Sequence, residues 1–385
     1  MYLCIHVYID SYDLTTIFQR DILISTKITY TCILIYTYTC VQIERVIYLA
    51  IRIDFLERDN ELVKLIKQLV ASRKGPIKIV IANWKGGVSK TASTVQLASV
   101  LSRMGLKVGV VDQDAQGNST NSLIITKQNQ NEVDGDFAYE ETLMRGIQNG
   151  DLSKVRVEIN KNLYLFPSTS DFFSFTNFLD VKFGTAQEGT ENFNQIEQKK
   201  ISYLPSLLEP NIQDLDILIT DTPPGDSYAT KSAVYGCDYI IVALQTQSDS
   251  LENAVDFIKK FVPKIYKYKQ DFDILGILAS MLNAPGSPLD DKGELPRERL
   301  EVLSRTPKWT LDLEVYQDAL DEFGDSEVFK TIIPYMRRIT SVPRRGIRLE
   351  DRWDKQIMEV YYKLSIEALA RILYRETGEV YNSEK

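Results

Sequence analysis

An α/β fold, with a mostly parallel sheet and helices on both faces, is predicted from three features of this 385-residue chain. Short apolar runs alternate with stretches whose apolar residues recur at helical spacing, the pattern of repeated βα units. A glycine pair flanked by lysines, Lys85-Gly86-Gly87-Val88-Ser89-Lys90-Thr91, stands between the first such run and the helix after it. Aspartates follow two later apolar runs, Asp112 and Asp114 after one and Asp221 after the other. Open α/β sheets bind ligands at such strand ends.

The bulk properties narrow the function classes. A chain of this length holds one large core or two modest ones, since domains commonly span ~100 to 200 residues. The net charge of −8 argues against a polyelectrolyte that coats nucleic acid, so any contact with DNA needs a local basic patch. Cys4, Cys32 and Cys40 lie at the amino-terminal end, Cys237 is alone in the body, and there is no CxxC pair. Metal or iron–sulfur ligation by the body is therefore not expected, and the cysteine usage suits a reducing cytoplasm. The one histidine, His6, also lies at the amino-terminal end, which excludes ordinary histidine acid–base chemistry from the body.

Residues 1–53 form an atypical extension, rich in isoleucine, tyrosine and threonine and without glycine or proline. Its most apolar run, Ile28 to Ile43, is 16 residues long, contains four threonines and is flanked by Lys27, Glu44 and Arg45. A membrane span needs ~20 apolar residues, and a signal peptide needs a basic start and a small-residue cleavage site. An upstream extension read from AT-rich DNA is the simpler expectation, and detection of a native peptide from Met1 to Arg45 would refute it.

Residues 54–75 are expected to hold an amphipathic helix, Leu56 to Ser72, with Leu62, Leu65, Ile66, Leu69 and Val70 inward, and then a linker. A single domain is expected over 76–375. Ile77 to Ala82 suits a buried parallel strand, and Thr91 to Met104 a helix that Gly105 closes. Further strands are expected at Val108 to Val111, Leu163 to Phe166, Ile217 to Ile219, Tyr239 to Val242, Ile274 to Leu278 and Val328 to Ile333. Lys127 to Asn160 and Lys182 to Lys200 are more polar and read as surface insertions or loops. Residues 376–385 read as a polar tail.

A phosphate loop requires the context of Lys85 to Thr91, after a strand and before a helix. Glycines allow positive φ angles that turn backbone N–H groups onto phosphate oxygens, and the helix N-terminus adds partial positive charge. Lys90 would neutralise the β and γ phosphates of a nucleotide, and Thr91 would offer its hydroxyl to Mg²⁺. The strict pattern GxxxxGK[ST] is not met, because Trp84 and Ser89 occupy its glycine positions.

The loop resembles instead the KGGxxK[ST] phosphate loop of the ParA/MinD family, closest to ParA/Soj-type partition proteins, with Lys85 in the place of the family's extra lysine. Val111 to Thr120 is similar to the first switch of ParA proteins, with Ala115 where proline is usual. Asp216 to Pro224 is similar to the family's Walker B strand and second switch. The resemblance covers nearly all of Ile77 to Ile372.

It implies a P-loop NTPase fold with ATP and Mg²⁺ bound by Lys85, Gly86, Gly87, Val88, Ser89, Lys90, Thr91 and Ala92. It also implies that Asp114 polarises the attacking water, that Asp112 supports the metal network beside Thr91 and Asp221, and that Lys85 reaches the partner subunit's phosphates in an ATP-bound homodimer. Asp221, closing its strand, is the expected Mg²⁺ carboxylate. Ser89 and Ala92 stand where glycine and a hydroxyl residue are usual. If Ser89 must take a positive φ, the strain is about 1 kcal/mol.

The local basic patch lies near the carboxyl end, where Lys330, Arg337, Arg338, Arg344, Arg345 and Arg348 occur with no acidic residue from Lys330 to Leu349. Those arginines are expected to grip double-stranded DNA without reading its sequence. The implied partner is a ParB-like centromere-binding protein that triggers hydrolysis, and the implied location is the cytoplasm, on the nucleoid.

A MinD-like membrane-positioning ATPase is the alternative, but Arg375-Glu376-Thr377-Gly378-Glu379-Val380 is no basic amphipathic anchor, and no stable membrane association is expected. A tyrosine kinase would need a clustered tyrosine tail, whereas Tyr361, Tyr362, Tyr374 and Tyr381 are scattered. An amidoligase of the same fold, and a non-enzymatic scaffold, are the remaining rivals.

Overall fold

The computed structural model of the chain describes residues 60–131, 139–185, 187–246, 248–283, 289 and 294–381. The expected extension 1–53, the start of the 54–75 segment and residues 382–385 lie outside the described residues. In chain order the elements are α1 (Asn60–Ser72), β1 (Ile77–Ala82), α2 (Lys90–Arg103), β2 (Val108–Asp112), α3 (Asn118–Asn131), α4 (Leu143–Asn149), β3 (Val157–Asn160) and β4 (Leu163–Phe166). Then come α5 (Phe175–Phe183), α6 (Phe193–Leu208), β5 (Ile217–Asp221), α7 (Tyr228–Gly236), β6 (Tyr239–Gln245), α8 (Ser248–Asp256), α9 (Val262–Tyr266) and β7 (Asp273–Leu282). The last are α10 (Arg297–Ser304), α11 (Leu311–Phe323), β8 (Ile333–Pro334), α12 (Arg337–Arg345) and α13 (Arg352–Thr377).

The strand order is β3-β4-β2-β5-β1-β6-β7-β8, and every pair is parallel except β3 with β4. β5 is inserted between β1 and β2, so Asp221 is in register with Ile81 on one side and Asp112 on the other. The chain leaves β1 toward β2 and returns on the far side as β6. That reversal opens a crevice at the carboxyl ends of the central strands.

Strand alternation sends Val80 and Ala82, with Ile240, Val242 and Leu244, into a cluster with Phe257, Phe261, Leu313 and Leu320. Val111, Phe166 and Leu218 join Leu143, Leu179, Leu204 and Leu208. α2 packs on β1, β2 and β5 and is covered in turn by α13. Every residue from Ser93 to Ser102 is buried, which explains why this helix is built largely of small side chains rather than one apolar stripe.

The central strands fall where the sequence places them, and four expectations change. The strand expected at Val328 to Ile333 is a single bridge from Val328 to Ile277 followed by the two-residue β8. Between them the N–H groups of Lys330 and Thr331 both donate to the Glu367 carboxylate, at 2.9 Å each, instead of to a strand. The polar stretches expected to be loops contain α4, β3 and the start of α6. In the segment expected as an amphipathic helix and linker, the described part starts at Asn60 with Leu62 and Ile66 fully buried, and Arg73, expected in the linker, is fixed by ion pairs with Asp238 and Glu376. The tail begins later than residue 376: α13 continues to Thr377, and Glu376 accepts a hydrogen bond from the Tyr239 hydroxyl, 2.8 Å.

Candidate nucleotide site

The phosphate loop is held open by its own backbone and by Asn83, which is fully buried. The Asn83 amide donates to Ala243 O at 2.7 Å, and its Oδ1 accepts from Lys85 N at 3.1 Å. Gly87 takes φ 78° and Ser89 φ 65°, the turn that points successive N–H groups into the loop. Ser89 is the sole described non-glycine residue in that region. It caps α2, whose first-turn N–H groups, from Lys90 through Ala92, have no intrahelical acceptor.

Lys90 is buried, and its Nζ donates to Lys85 O (2.8 Å) and Asn83 O (3.2 Å). Burial holds its pKa below the usual lysine value, against the opposing pull of Asp221 and Asp114. Lys85 is half-buried at the mouth of the loop, between Trp84 and the exposed Gly86 and Gly87.

The two carboxylates beside the loop are wholly buried. Asp112 accepts from Asp114 N (3.1 Å) through Oδ1 and from both the N–H and the hydroxyl of Thr120 (2.8 Å each) through Oδ2. Asp221 accepts from the Ser119 hydroxyl at 2.7 Å through Oδ2, while its Oδ1 is buried without a hydrogen-bond partner. Burial pushes the pKa of both upward. Asp221 raises Asp112 further, while the Ser119 and Thr91 hydroxyls pull Asp221 back. Thr91 is thus close enough to favour the ionised Asp221 without satisfying Oδ1. Asp114 is half-buried, and its Oδ1 accepts from Gln116 N at 2.9 Å.

An unpaired carboxylate oxygen next to a threonine hydroxyl is an oxygen donor set that suits Mg²⁺, and the lysine beside it suits the phosphates that the ion accompanies. That ion is usually held by one or two protein oxygens plus substrate phosphates rather than by a protein cage. Among the described residues, no group of three or more His, Cys, Asp or Glu side chains is arranged to hold a metal ion by itself.

Lys90, Thr91, Asp112, Asp114 and Asp221 therefore lie together at one crevice, with the loop from Lys85 to Ser89 leading into it. Residues without an expected role also do so: Asn83 braces the loop, Ser119 and Thr120 hold the carboxylates, and Gly225 N donates to Trp84 O at 3.0 Å, tying the stretch after Asp221 to the loop. A pair of hydroxyls just inside α3, after Gly117, is the signal that marks Ser119 and Thr120.

The basic residues are divided. Arg337, Arg344, Arg345 and Arg348 are exposed on α12 and the loop after it. Arg338 is turned inward and forms ion pairs with Asp351 and Asp354. The loop after α12 and the crevice meet α3 toward its opposite ends.

The AAA_31 family model, described as an AAA domain, matches residues 77–274. The sporulation initiation inhibitor protein Soj of Bacillus subtilis is 25% identical over 309 residues, taking in 76% of this chain and 98% of that protein. The chromosome-partitioning ATPase Soj of Thermus thermophilus is 23% identical over 301 residues, 77% of this chain and 96% of its own. The solved ATP complex of Cyanothece McdA superposes with a TM-score of 0.56 at 16% identity, covering 77% of this chain and 97% of that one. At that identity the likeness bears on the fold alone, and the fold is that of P-loop NTPases.

Proposed function

The chain belongs to the AAA_31 family as a ParA/MinD-type ATPase, and on that premise we propose that it binds and hydrolyses ATP in a DNA-partitioning cycle. The observation that carries this reading is the buried, unpartnered Oδ1 of Asp221, set beside Thr91 and Lys90 at the crevice between β1 and β5. Residues Lys85 to Ala92 would hold the phosphates, and Thr91 with Asp221 the Mg²⁺, which neutralises charge developing on the transferred phosphoryl group.

Asp112 acts from behind. Both its oxygens are engaged by Asp114 N and Thr120, so it fixes the position of Asp114, which orients the attacking water. Lys85, at the open side of the loop, is the residue proposed to reach a second subunit. Dimerisation around ATP, slow turnover and stimulation by a ParB-like centromere-binding protein complete the cycle. Arg337, Arg344, Arg345 and Arg348 are the proposed contacts to nonspecific double-stranded DNA, with Arg338 holding α12 in place. A cytoplasmic, nucleoid-bound protein follows from that reading, and no described helix is long and apolar enough to cross a membrane.

The test is DNA binding with ATP, with ADP and without nucleotide, at two salt concentrations. Tighter, salt-sensitive binding in the ATP state alone is expected, and equal binding in all three states would overturn the switch. Lys90→Ala is expected to abolish ATP turnover; partitioning that survives this change would point to a scaffold.

A further inference from the structure

Helix α3 touches the nucleotide crevice with its first turn and the basic loop with its last two. At the first turn, Ser119 and Thr120 donate to Asp221 and Asp112. Further along, the Thr126 hydroxyl donates to Ser122 O (2.6 Å) and accepts from Ile347 N (2.8 Å). The Asn129 amide donates to Arg345 O at 2.9 Å. Gly346, at φ 67°, lies so close that a Cβ there would stand 2.7 Å from Thr126 N and 3.0 Å from Ile125 C. Six residues of helix, about 9 Å, separate Thr120 from Thr126.

α12 is thus held at its two ends by different helices. Arg338, near its start, is paired with Asp351 and Asp354 at the start of α13. At its end, Arg345 O and Ile347 N are hydrogen-bonded to α3, and Gly346 packs closely against it. We infer that α3 couples the two sites: Thr126 and Asn129 are positioning residues that set the placement of Arg344, Arg345 and Arg348 according to what occupies the crevice. A ligand that draws on the charge of Asp112 and Asp221 weakens the hydroxyl bonds holding the first turn of α3. A rigid helix carries any resulting shift to the loop that Thr126 grips. Arg337, beside the α13 anchor, is outside this linkage.

The inference rests on the proposed ATP-dependent DNA binding, and its test separates the two. Affinity for a fluorescent duplex of arbitrary sequence is measured by anisotropy with ATP and with ADP, for the unaltered chain, Thr126→Val, Thr126→Ser and Asn129→Ala. Basal ATP turnover and melting temperature are measured alongside. The unaltered chain is expected to bind about 10-fold or more tightly with ATP, within the usual range of coupling between sites. Thr126→Val and Asn129→Ala should bring that ratio below about 3-fold with basal turnover unchanged, while Thr126→Ser keeps it. A full ratio in Asn129→Ala and in folded Thr126→Val overturns the coupling. Should Thr126→Val not fold, the exposed Asn129→Ala decides alone. No nucleotide dependence in the unaltered chain overturns the DNA-binding reading itself.

Discussion

Ser89, at φ 65° and ψ 15°, carries a side chain in the left-handed region that glycine occupies without penalty. The sequence shows that a glycine is missing here; the backbone shows that its freedom was needed. Ser89→Gly is expected to raise stability by about 1 kcal/mol and to tighten nucleotide binding, measured by calorimetry with and without ATP. Asp112 and Asp221 are strained electrostatically rather than sterically. Each has its folded pKa raised by burial, so the folded state binds protons more readily than the unfolded chain. Their contribution to stability is full below the ordinary carboxylate value and is lost as pH rises through the raised values. The melting temperature of the nucleotide-free protein should therefore fall between roughly pH 4 and pH 8. Asp221→Asn should flatten that slope, stabilise the nucleotide-free form by on the order of 1 kcal/mol at neutral pH and abolish hydrolysis.

At the scale of elements, α12 reads in sequence as an uninterrupted basic segment, but its five nearby arginines are not equivalent. The acids that engage Arg338 lie just beyond the run, Asp351 capping α13 and Asp354 in its first turn, and only packing brings them against it. The Asp354 side chain is 6% exposed and Arg338 41% exposed, so loss of the arginine leaves a buried carboxylate with one oxygen still held by Glu350 N and the other without its ion pair. Arg338→Ala is expected to cost about 1 to 3 kcal/mol of stability, less than for a fully buried pair, with DNA affinity falling only as the fold does. Arg345→Glu should do the reverse, weakening DNA binding while melting temperature and ATP binding are kept. Thermal melts and anisotropy titrations on both variants check this pair. β8 teaches the same lesson: Val328 to Ile333 has strand composition, but Glu367, far along the chain, takes the N–H groups of Lys330 and Thr331 that a longer strand would need.

For the whole molecule, the net charge of −8 means that the proposed DNA binding has to rest on a local basic surface, for which Arg337, Arg344, Arg345 and Arg348 are the proposed contacts. With ~0.9 counterions released per phosphate contact, four contacts give a slope of log affinity against log salt of about −3.6 per protomer. A much steeper slope, measured by titration across salt concentrations, would require basic residues outside this patch.

The sequence by itself determined the fold class and the strands β1, β2, β4 and β5, and it supplied the candidate residues proposed to hold a nucleotide. These depend on short-range signals: an apolar run long enough for one buried strand, glycines and lysines within seven residues, an aspartate where a strand ends. Strand order is not such a signal. Only the tertiary structure places β5 between β1 and β2, which turns three distant motifs into one crevice and leaves Asp221 Oδ1 without a partner. Only it separates Arg338 from its neighbours and joins Thr126 to Ile347, because these pairings are made between helices whose packing depends on the whole core.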